Sequence, residues 1–446
     1  MSESNQFSLL AERRFAPFFG TQFFGAFNDN IFRNGLIIVI TFQGVKVFGM
    51  SAAQLANVAG ALFILPFFLF SATAGQLADK YEKSRLMRII KVIEICLMLL
   101  AAGAFMTHSY AALLIVLFLM GCQSTLFGPV KYAFLPAQLA TSELVGGNAL
   151  VESGTYLAII FGLIVGGVSV AVDPAGQTVL SACLISVAIV GYLASRAIPE
   201  TPAVDPRLRI NWNTWTETWH IVGFARQDRS VFLAIVGISW FWFFGSAMTL
   251  QIPAYTLDIL NGNEEITTVI LVAFAIGVGI GSLLCERLSG HRIELGLVPL
   301  GSIGLSLFSI DLYFAQPTMH PVAVATVGEL LTRSGSIRVL VDMALIGAFG
   351  GLYSVPLYAM IQERANTRHL SRIIAANNII NALFMVGAAV LALGLLNAGL
   401  SIPQLFVALG ILNAAFATWI YLSLPEFPNR FLAWMQRNTP GRTGQD

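Results

Sequence analysis

Long apolar runs separated by short polar breaks make up most of this chain. A helix needs about 20 predominantly apolar residues to cross the hydrocarbon of a bilayer. Windows of that length predict twelve spans. The first six run near residues 15–42, 52–77, 86–106, 110–134, 147–170 and 178–196, the second six near 230–256, 265–288, 293–315, 337–361, 373–397 and 402–424. An even number of crossings puts both ends on one side, and Lys and Arg choose that side. Arg13, Arg14, Lys80, Lys83, Arg85, Arg88, Lys91, Arg196, Arg207, Arg209, Arg226, Arg229, Arg287, Arg292, Arg364, Arg368, Arg372, Arg430, Arg437 and Arg442 fall with the N-terminus, Lys46, Arg333 and Arg338 fall opposite, and Arg33 and Lys131 lie within spans. This asymmetry places both termini in the cytoplasm.

The pattern divides the chain into a six-helix half over 1–196, a linker over 197–229, a second six-helix half over 230–424 and a tail over 425–446. In the linker, Trp212, Trp215, Trp219 and Val222 share one helical face. Such a face suits a helix lying in the membrane interface, or aromatics packed beneath the bundle. Between residues 315 and 336, Val324, Val327, Leu330 and Leu331 predict a short helix on the outer surface. The halves repeat: Phe24-Gly25-Ala26 matches Phe244-Gly245-Ser246, Tyr132-Ala133 matches Tyr358-Ala359, and Asn148–Glu152 matches Asn377–Asn381. Transporter folds are built from such repeats. The second copy has Leu357 for Lys131 and Asn381 for Glu152, so charged chemistry is expected to concentrate in the first half.

The first span carries Phe27-Asn28-Asp29-Asn30-Ile31-Phe32-Arg33 in its middle. A carboxylate or guanidinium at that depth costs roughly 2.5–3.5 kcal/mol on insertion scales, so it needs a partner, a wet cavity or a task. Gln22, Asp29 and Arg33 share a face, through offsets of seven and four. That face reads as the wall of a polar path; the plainer alternative is an Asp29–Arg33 pair that locks the helix. Lys131, within Gly128-Pro129-Val130-Lys131-Tyr132, ends span four, and Glu152 lies at similar depth in span five. A Lys131–Glu152 gate and a Lys131 that snorkels to headgroups both fit. Asp29, Arg33, Lys131 and Glu152 sum to zero charge, which suits a zwitterionic ligand. Phe18, Phe19, Phe23, Phe24, Phe27, Phe63, Phe67, Phe68, Phe241, Phe243 and Phe244 offer either packing filler or an apolar slot beside that cavity. Between spans two and three, Gly75-Gln76-Leu77-Ala78-Asp79-Lys80-Tyr81-Glu82-Lys83-Ser84-Arg85 reads as a latch. Gly75 lets helices approach, Asp79 takes a helix N-terminus or an arginine, and Lys83 and Arg85 hold the loop on the cytoplasmic side.

Composition narrows the class. Of 446 residues, 56% are hydrophobic and 11% charged, with mean hydropathy +0.75, against about 25% charged in soluble domains. A net charge of +1 gives no bulk attraction to nucleic acid. Cys96, Cys122, Cys183 and Cys285 sit in apolar runs without metal or disulfide spacing. The polar stretch Met1–Arg14 lacks a cleaved-signal layout, so the first span is expected to stay in place. None of the five histidines is followed five residues later by Asp, as an acyltransferase base would need, and H-E-x-x-H and P-loop patterns are absent. The sequence predicts no enzyme, no catalytic or metal-binding set and no cofactor, with sodium or a proton as the coupling ions to consider.

Phe27-Asn28-Asp29-Asn30, the loop Gly75–Arg85, Gly128–Tyr132 and Asn148–Ser153 resemble the bacterial lysophospholipid transporters of the major facilitator superfamily. The resemblance implies an all-α, twelve-helix membrane protein in two six-helix halves. It implies an inner-membrane flippase that moves lysophosphatidylethanolamine-like lipids to the cytoplasmic leaflet; a monomer working by alternating access is the expectation that goes with it. It marks Asp29 as functional and carries over to Lys131 and Glu152 on the motif match alone; with the residue readings above, the expected substrate- or ion-binding set is Asp29, Arg33, Asn28, Asn30, Gln22, Lys131, Tyr132, Glu152 and Asn148, and the expected gating loop is Gly75, Asp79, Lys83 and Arg85. Asn28 stands where many relatives have Gly. The tail Pro425–Trp434 resembles the joint that leads, in fused relatives, to an acyltransferase domain, which implies a separate acyltransferase or acyl-ACP synthetase partner or a cut-down form. A carrier of small soluble solutes remains the alternative.

Overall fold

A computed structural model describes residues 6–42, 49–50, 52–172, 174–315, 326–332 and 335–438. Lys46, Val324, Arg333 and Arg442 lie outside them. The long helices are α1 (Ala16–Phe42), α2 (Ala52–Lys80), α3 (Lys83–Met106), α4 (Tyr110–Gln138), α5 (Leu144–Val170), α6 (Gly176–Arg196), α8 (Arg229–Asp258), α9 (Glu264–Ser289), α10 (Leu297–Phe314), α12 (Ser336–Arg364), α13 (Leu370–Asn397) and α14 (Ile402–Ser423). Shorter helices are α7 (Thr214–Gln227), α11 (Val327–Thr332) and α15 (Glu426–Asn438). Every predicted span coincides with one long helix. Among the described residues eleven helices are long and apolar enough to cross a membrane, and α1, 27 residues long, completes the set of twelve.

The helix ends follow their local chemistry. Glu82 caps α3 and Asn263 caps α9 by accepting from backbone N–H groups of the first turn. Ser401 and Gln404 form a capping box at α14. Gly290, at φ 63°, closes α9 in the left-handed region that glycine adopts without strain.

The chain gathers into two compact units. The first comprises residues 1–140, 154–228 and 364–382, the second 141–153, 229–363 and 383–446. In the first, α2 packs on α4, α3 on α4 and α6, and α1 on α6, around Leu36, Val39, Met98, Phe105, Leu117 and Leu184. A Cβ at Gly121 would stand 2.5 Å from the Phe63 carbonyl oxygen, so α2 and α4 meet backbone to backbone. In this unit α7 buries Glu217, Ile221 and Ala225, while Trp212, just before it, and Trp215 and Trp219 on it turn outward at 72%, 64% and 70% exposure. The three tryptophans are thus largely exposed, and Trp215 also meets Phe68 of α2 edge-on.

In the second unit, α10 packs on α14 and α8 on α9 and α14. Asn413 pins three helices: its amide donates to Ser302 O at 2.8 Å and Ser306 Oγ at 2.9 Å, and its oxygen accepts from Trp240 Nε1 at 2.8 Å. A Cβ at Gly281 would meet Ala348 O at 1.9 Å, which puts α9 against α12. The tail helix α15 docks through Trp434, whose indole donates to Leu288 O, and through Arg437 on Glu294.

Candidate functional site

Three polar groupings lie in the first unit, and α1 positions two of them. At its middle, Ser124 of α4 donates to Asp29 Oδ2 at 2.7 Å. Asp29 Oδ1 is buried without a hydrogen-bond partner among the described residues. Arg33 does not close on Asp29; it donates to Asn30 Oδ1 at 2.9 Å, and Asn30 in turn donates to Ala26 O. The self-satisfied Asp29–Arg33 lock is therefore not formed: the two charges sit a helical turn apart, each half-buried, each held by a neutral neighbour. Asp29 faces α4 within the unit, not outward.

Directly beside it is a charged pair that the spans conceal. Lys91 Nζ lies 2.7 Å from Glu94 Oε2, with both side chains no more than 2% exposed. Asn28 donates to Glu94 Oε1 at 3.0 Å and Gln123 to Oε2 at 3.1 Å, so the carboxylate is saturated by three donors from three helices. The charge count by side places Lys91 on the aqueous flank of α3. The structure corrects this: Lys91 is eight residues inside the helix, about 12 Å from its start at 1.5 Å per residue. Its i, i+3 partner Glu94 is the available signal. Gly25 makes room for the pair, since a Cβ there would stand 2.7 Å from Lys91 Nζ. Glu94, Lys91 and Arg33 are the charges that bear on Asp29, and the four groups together are neutral.

Nearer the start of α1, Gln22 Oε1 accepts from Thr155 at 3.2 Å, and Lys131 Nζ reaches Thr155 Oγ1 at 3.4 Å while lying 5.0 Å from the Tyr132 ring centre. Thr155 is a residue that no sequence motif marks. Gln22 and Tyr132 are buried. Lys131 belongs to the first unit and Glu152 to the second. Asn148, also in the second unit, exchanges two side-chain hydrogen bonds with Gln362 of α12, at 2.6 and 3.2 Å.

Alongside runs a ladder of rings on α1. Phe15, Phe19 and Phe23 stack at 6.1 and 6.3 Å, and Phe23 continues to Phe27 at 6.1 Å. Phe18, Phe241 and Phe244 are buried filler, whereas Phe19, Phe23 and Phe27 stay partly open.

The third grouping is the α2–α3 turn. Arg372 of α13 donates to Asp79 Oδ2 at 2.8 Å, with side-chain exposures of 8% and 0%. Arg372 lies in the first turn of α13, so Asp79 meets an arginine at that helix's start. Gly75 permits the approach: a Cβ there would lie 2.8 Å from Ala375 Cβ and 3.0 Å from Arg372 Cα. Phe224 of α7 stacks on His369 at 4.3 Å and lies 5.0 Å from the Arg372 guanidinium. The linker straps the turn, with Val204 and Asp205 N–H on Asp79 O and Asn211 paired with Gln76. Lys83 is buried at the start of α3, not solvated, while Arg85 is exposed. Burial pushes the Glu82 carboxyl up, but backbone N–H bonds from Thr201, Ser84 and Arg85 and the Ser84 hydroxyl together hold it below the ordinary glutamate range.

The second unit holds a charged cluster that the repeat comparison does not anticipate. Arg338 of α12 forks onto Asp311 of α10, and Asp342 lies beside them. Charged chemistry is thus not confined to the first half. Both Asp311 and Arg338 lie near helix ends, where the sequence offers no motif to mark them.

The model of the Major Facilitator Superfamily matches residues 18–388. The chain is 26% identical over 363 residues to a lysophospholipid transporter LplT of Klebsiella pneumoniae subsp. pneumoniae, covering 76% of this chain and 82% of that protein. It is 25% identical over 351 residues to the LplT of Yersinia pestis, covering 77% of each. In fold it is similar to the transporter FucP in its outward conformation, with TM-score 0.67 at 12% identity over 92% of this chain and 98% of that one. The human organic anion transporter MFSD10 gives TM-score 0.66 at 13% identity over 95% and 99%. With twelve long helices among the described residues, the α2–α3 turn held on α13 and a family model spanning most of its length, the chain belongs to the major facilitator superfamily.

Proposed function

We propose that this multi-pass membrane protein is a transporter of lysophospholipids, working by alternating access. The observation that carries the reading is the juxtaposition on α1 of a two-signed, partly buried polar pair, Asp29 and Arg33, with the partly open ladder Phe19–Phe23–Phe27. An amphiphile with a zwitterionic headgroup and one acyl chain asks for both at once. Arg33 meets the phosphate, Asp29 the amine or a coupling sodium ion or proton, and the rings take the chain. The relatives bearing the lysophospholipid transporter name support the cargo. On this reading the protein is a carrier without catalysis. It acts as a monomer in the inner membrane with both termini cytoplasmic, and moves lysophosphatidylethanolamine-like lipid inward to an acyltransferase or acyl-ACP synthetase.

The test is uptake of labelled lysophospholipid into spheroplasts, with Asp29→Ala and Arg33→Ala beside the parent protein and expression checked by blot. Loss of uptake with normal expression is expected. Unchanged uptake removes Asp29 from the mechanism, and movement of a hydrophilic solute instead of lysolipid replaces the cargo.

A further inference from the structure

The linker of the first unit, which the transport reading does not use, climbs back along α2. Val204 and Asp205 N–H donate to Asp79 O at 3.0 and 2.9 Å, Asn211 and Gln76 exchange hydrogen bonds at 2.7 and 3.1 Å, and the Trp215 ring meets Phe68 edge-on at 5.9 Å. Asp79 and Phe68 lie about 16 Å apart along α2, at 1.5 Å per residue. At Phe68 the helix is about to change character: residues 58–70 are wholly apolar, and Ser71, Thr73, Gln76 and Asp79 follow. That changeover is where hydrocarbon gives way to headgroups. From there α7 returns along the same flank, with its first turn against Phe68. Its last turn lies against α13, where Phe224 stacks on His369 and lies 5.0 Å from the Arg372 guanidinium.

A helix on the surface of a soluble protein turns its charged face outward. Here Glu217, Ile221 and Ala225 face inward and are buried, and the outer face carries Trp215 and Trp219, with Trp212 just before them, each at least 64% exposed. Arg226 follows on that outer face, seven residues after Trp219, and is exposed, as are Arg207 and Arg209 of the linker. Between α2 and α7 a cleft of about 160 Å³ is lined by Phe68, Leu69, Phe70, Thr214, Trp215 and Thr218. Phe70, on its rim, is 39% exposed. The cleft continues the outer surface of a membrane-spanning helix, so the medium that bathes that helix covers it. Tryptophan rings concentrate at the depth of the glycerol and phosphate groups, and arginine reaches from there to phosphate.

We propose that α7 and the facing stretch of α2 form a binding site for bilayer phospholipid at the membrane interface. Trp212, Trp215 and Trp219 sit among the glycerol esters, a segment of acyl chain enters the cleft beside Phe70, and Arg226 meets the phosphate. Because Phe224 of the same helix rests on His369 and Arg372, the site ties the Asp79–Arg372 contact to the surrounding lipid. The ligand is the diacyl lipid of the membrane, not a transported molecule.

The test needs no cargo, so it fails or succeeds independently of the lysophospholipid reading. Tryptophan emission is recorded from the purified full-length protein in nanodiscs of diacyl phospholipid, brominated either at the headgroup end or at the methyl end of the chains. The chain has seven tryptophans, so the same spectra are taken from a variant carrying Trp212→Phe, Trp215→Phe and Trp219→Phe, and the difference isolates the three rings. That difference emission is expected to lose most of its intensity to bromines at the headgroup end, less to bromines at the methyl end, and little to iodide in the water. The three single variants give the same differences ring by ring should the triple one fail to fold. Emission that iodide quenches and brominated lipid does not would place the rings in water or under another protein, and it overturns the proposal. Strongest quenching by bromines at the methyl end overturns it too.

Discussion

Arg372 Nε donates to Asp79 Oδ2 at 2.8 Å across 293 residues of sequence, and neither side chain is more than 8% exposed. Breaking a buried pair by removing one partner costs about 3–5 kcal/mol, because the other charge is left uncompensated. Arg372→Ala is therefore expected to lower the thermal midpoint of the detergent-solubilised protein sharply. Adding Asp79→Ala to that variant should restore part of the loss. Thermal unfolding of the two single variants and the double one measures the coupling; strict additivity would show that the pair is not energetically joined.

The same contact makes Gly75 a position where size matters. An alanine Cβ there meets Ala375 Cβ at 2.8 Å, Arg372 Cα at 3.0 Å and Ser371 O at 3.1 Å, of which two are backbone atoms unable to rotate away. Gly103, in α3, has nothing within 4 Å of its built Cβ. Gly75→Ala should destabilise, whereas Gly103→Ala should stabilise by up to about 1 kcal/mol, the ordinary helix-propensity gain. Matched melting curves check the contrast in sign.

Glu82 gives this region a pH dependence of defined direction. Its native carboxyl lies below the ordinary value of about 4.3, because Thr201, Ser84 and Arg85 donate to the ionised form against the opposing effect of burial. A depressed native value stabilises the fold above the unfolded-state value, and that contribution disappears as pH falls through the native one. The stability gap between the parent and Glu82→Gln should be constant near neutrality and shrink on acidification below pH ~4. A gap that widens with acid would contradict the assignment.

The helices were legible because bilayer length and apolarity are summed over some 20 residues, which averages out local exceptions. The Asp29 face was legible because a carboxylate in such a run stands out. Its partners were harder to read. Ser124, Gln123 and Thr155 are ordinary helix residues until three helices come together, and nothing in sequence separates a serine on the polar face of α4 from one that satisfies its own turn. Lys91 is misplaced by sequence for a different reason. Its neighbours Lys83, Arg85 and Arg88 form a run of basic residues, and a count of positive charge by side absorbs it into that run. The Asp311–Arg338–Asp342 cluster escapes notice because the repeat aligns motif with motif, and these residues belong to none of the matched motifs.

Gly25 is where the helix pattern and the hidden charge meet. A Cβ at this position would lie 2.7 Å from Lys91 Nζ, which is itself tied to Glu94 Oε2 at 2.7 Å. A Cβ at Gly191 would lie 3.2 Å from the same nitrogen, so the ammonium is confined between two glycines. An amine at the end of a free side chain would simply swing aside; this one leaves only by breaking a buried ion pair, at about 3–5 kcal/mol. Gly25→Ala should therefore cost stability on that scale in the parent. It should cost little in a Lys91→Ala, Glu94→Gln background, where the crowding nitrogen is gone and the amide oxygen that replaces the carboxylate still accepts from Asn28. Thermal unfolding of the four proteins closes the cycle. An equal cost in both backgrounds would mean that Gly25 is required for some reason other than room for Lys91.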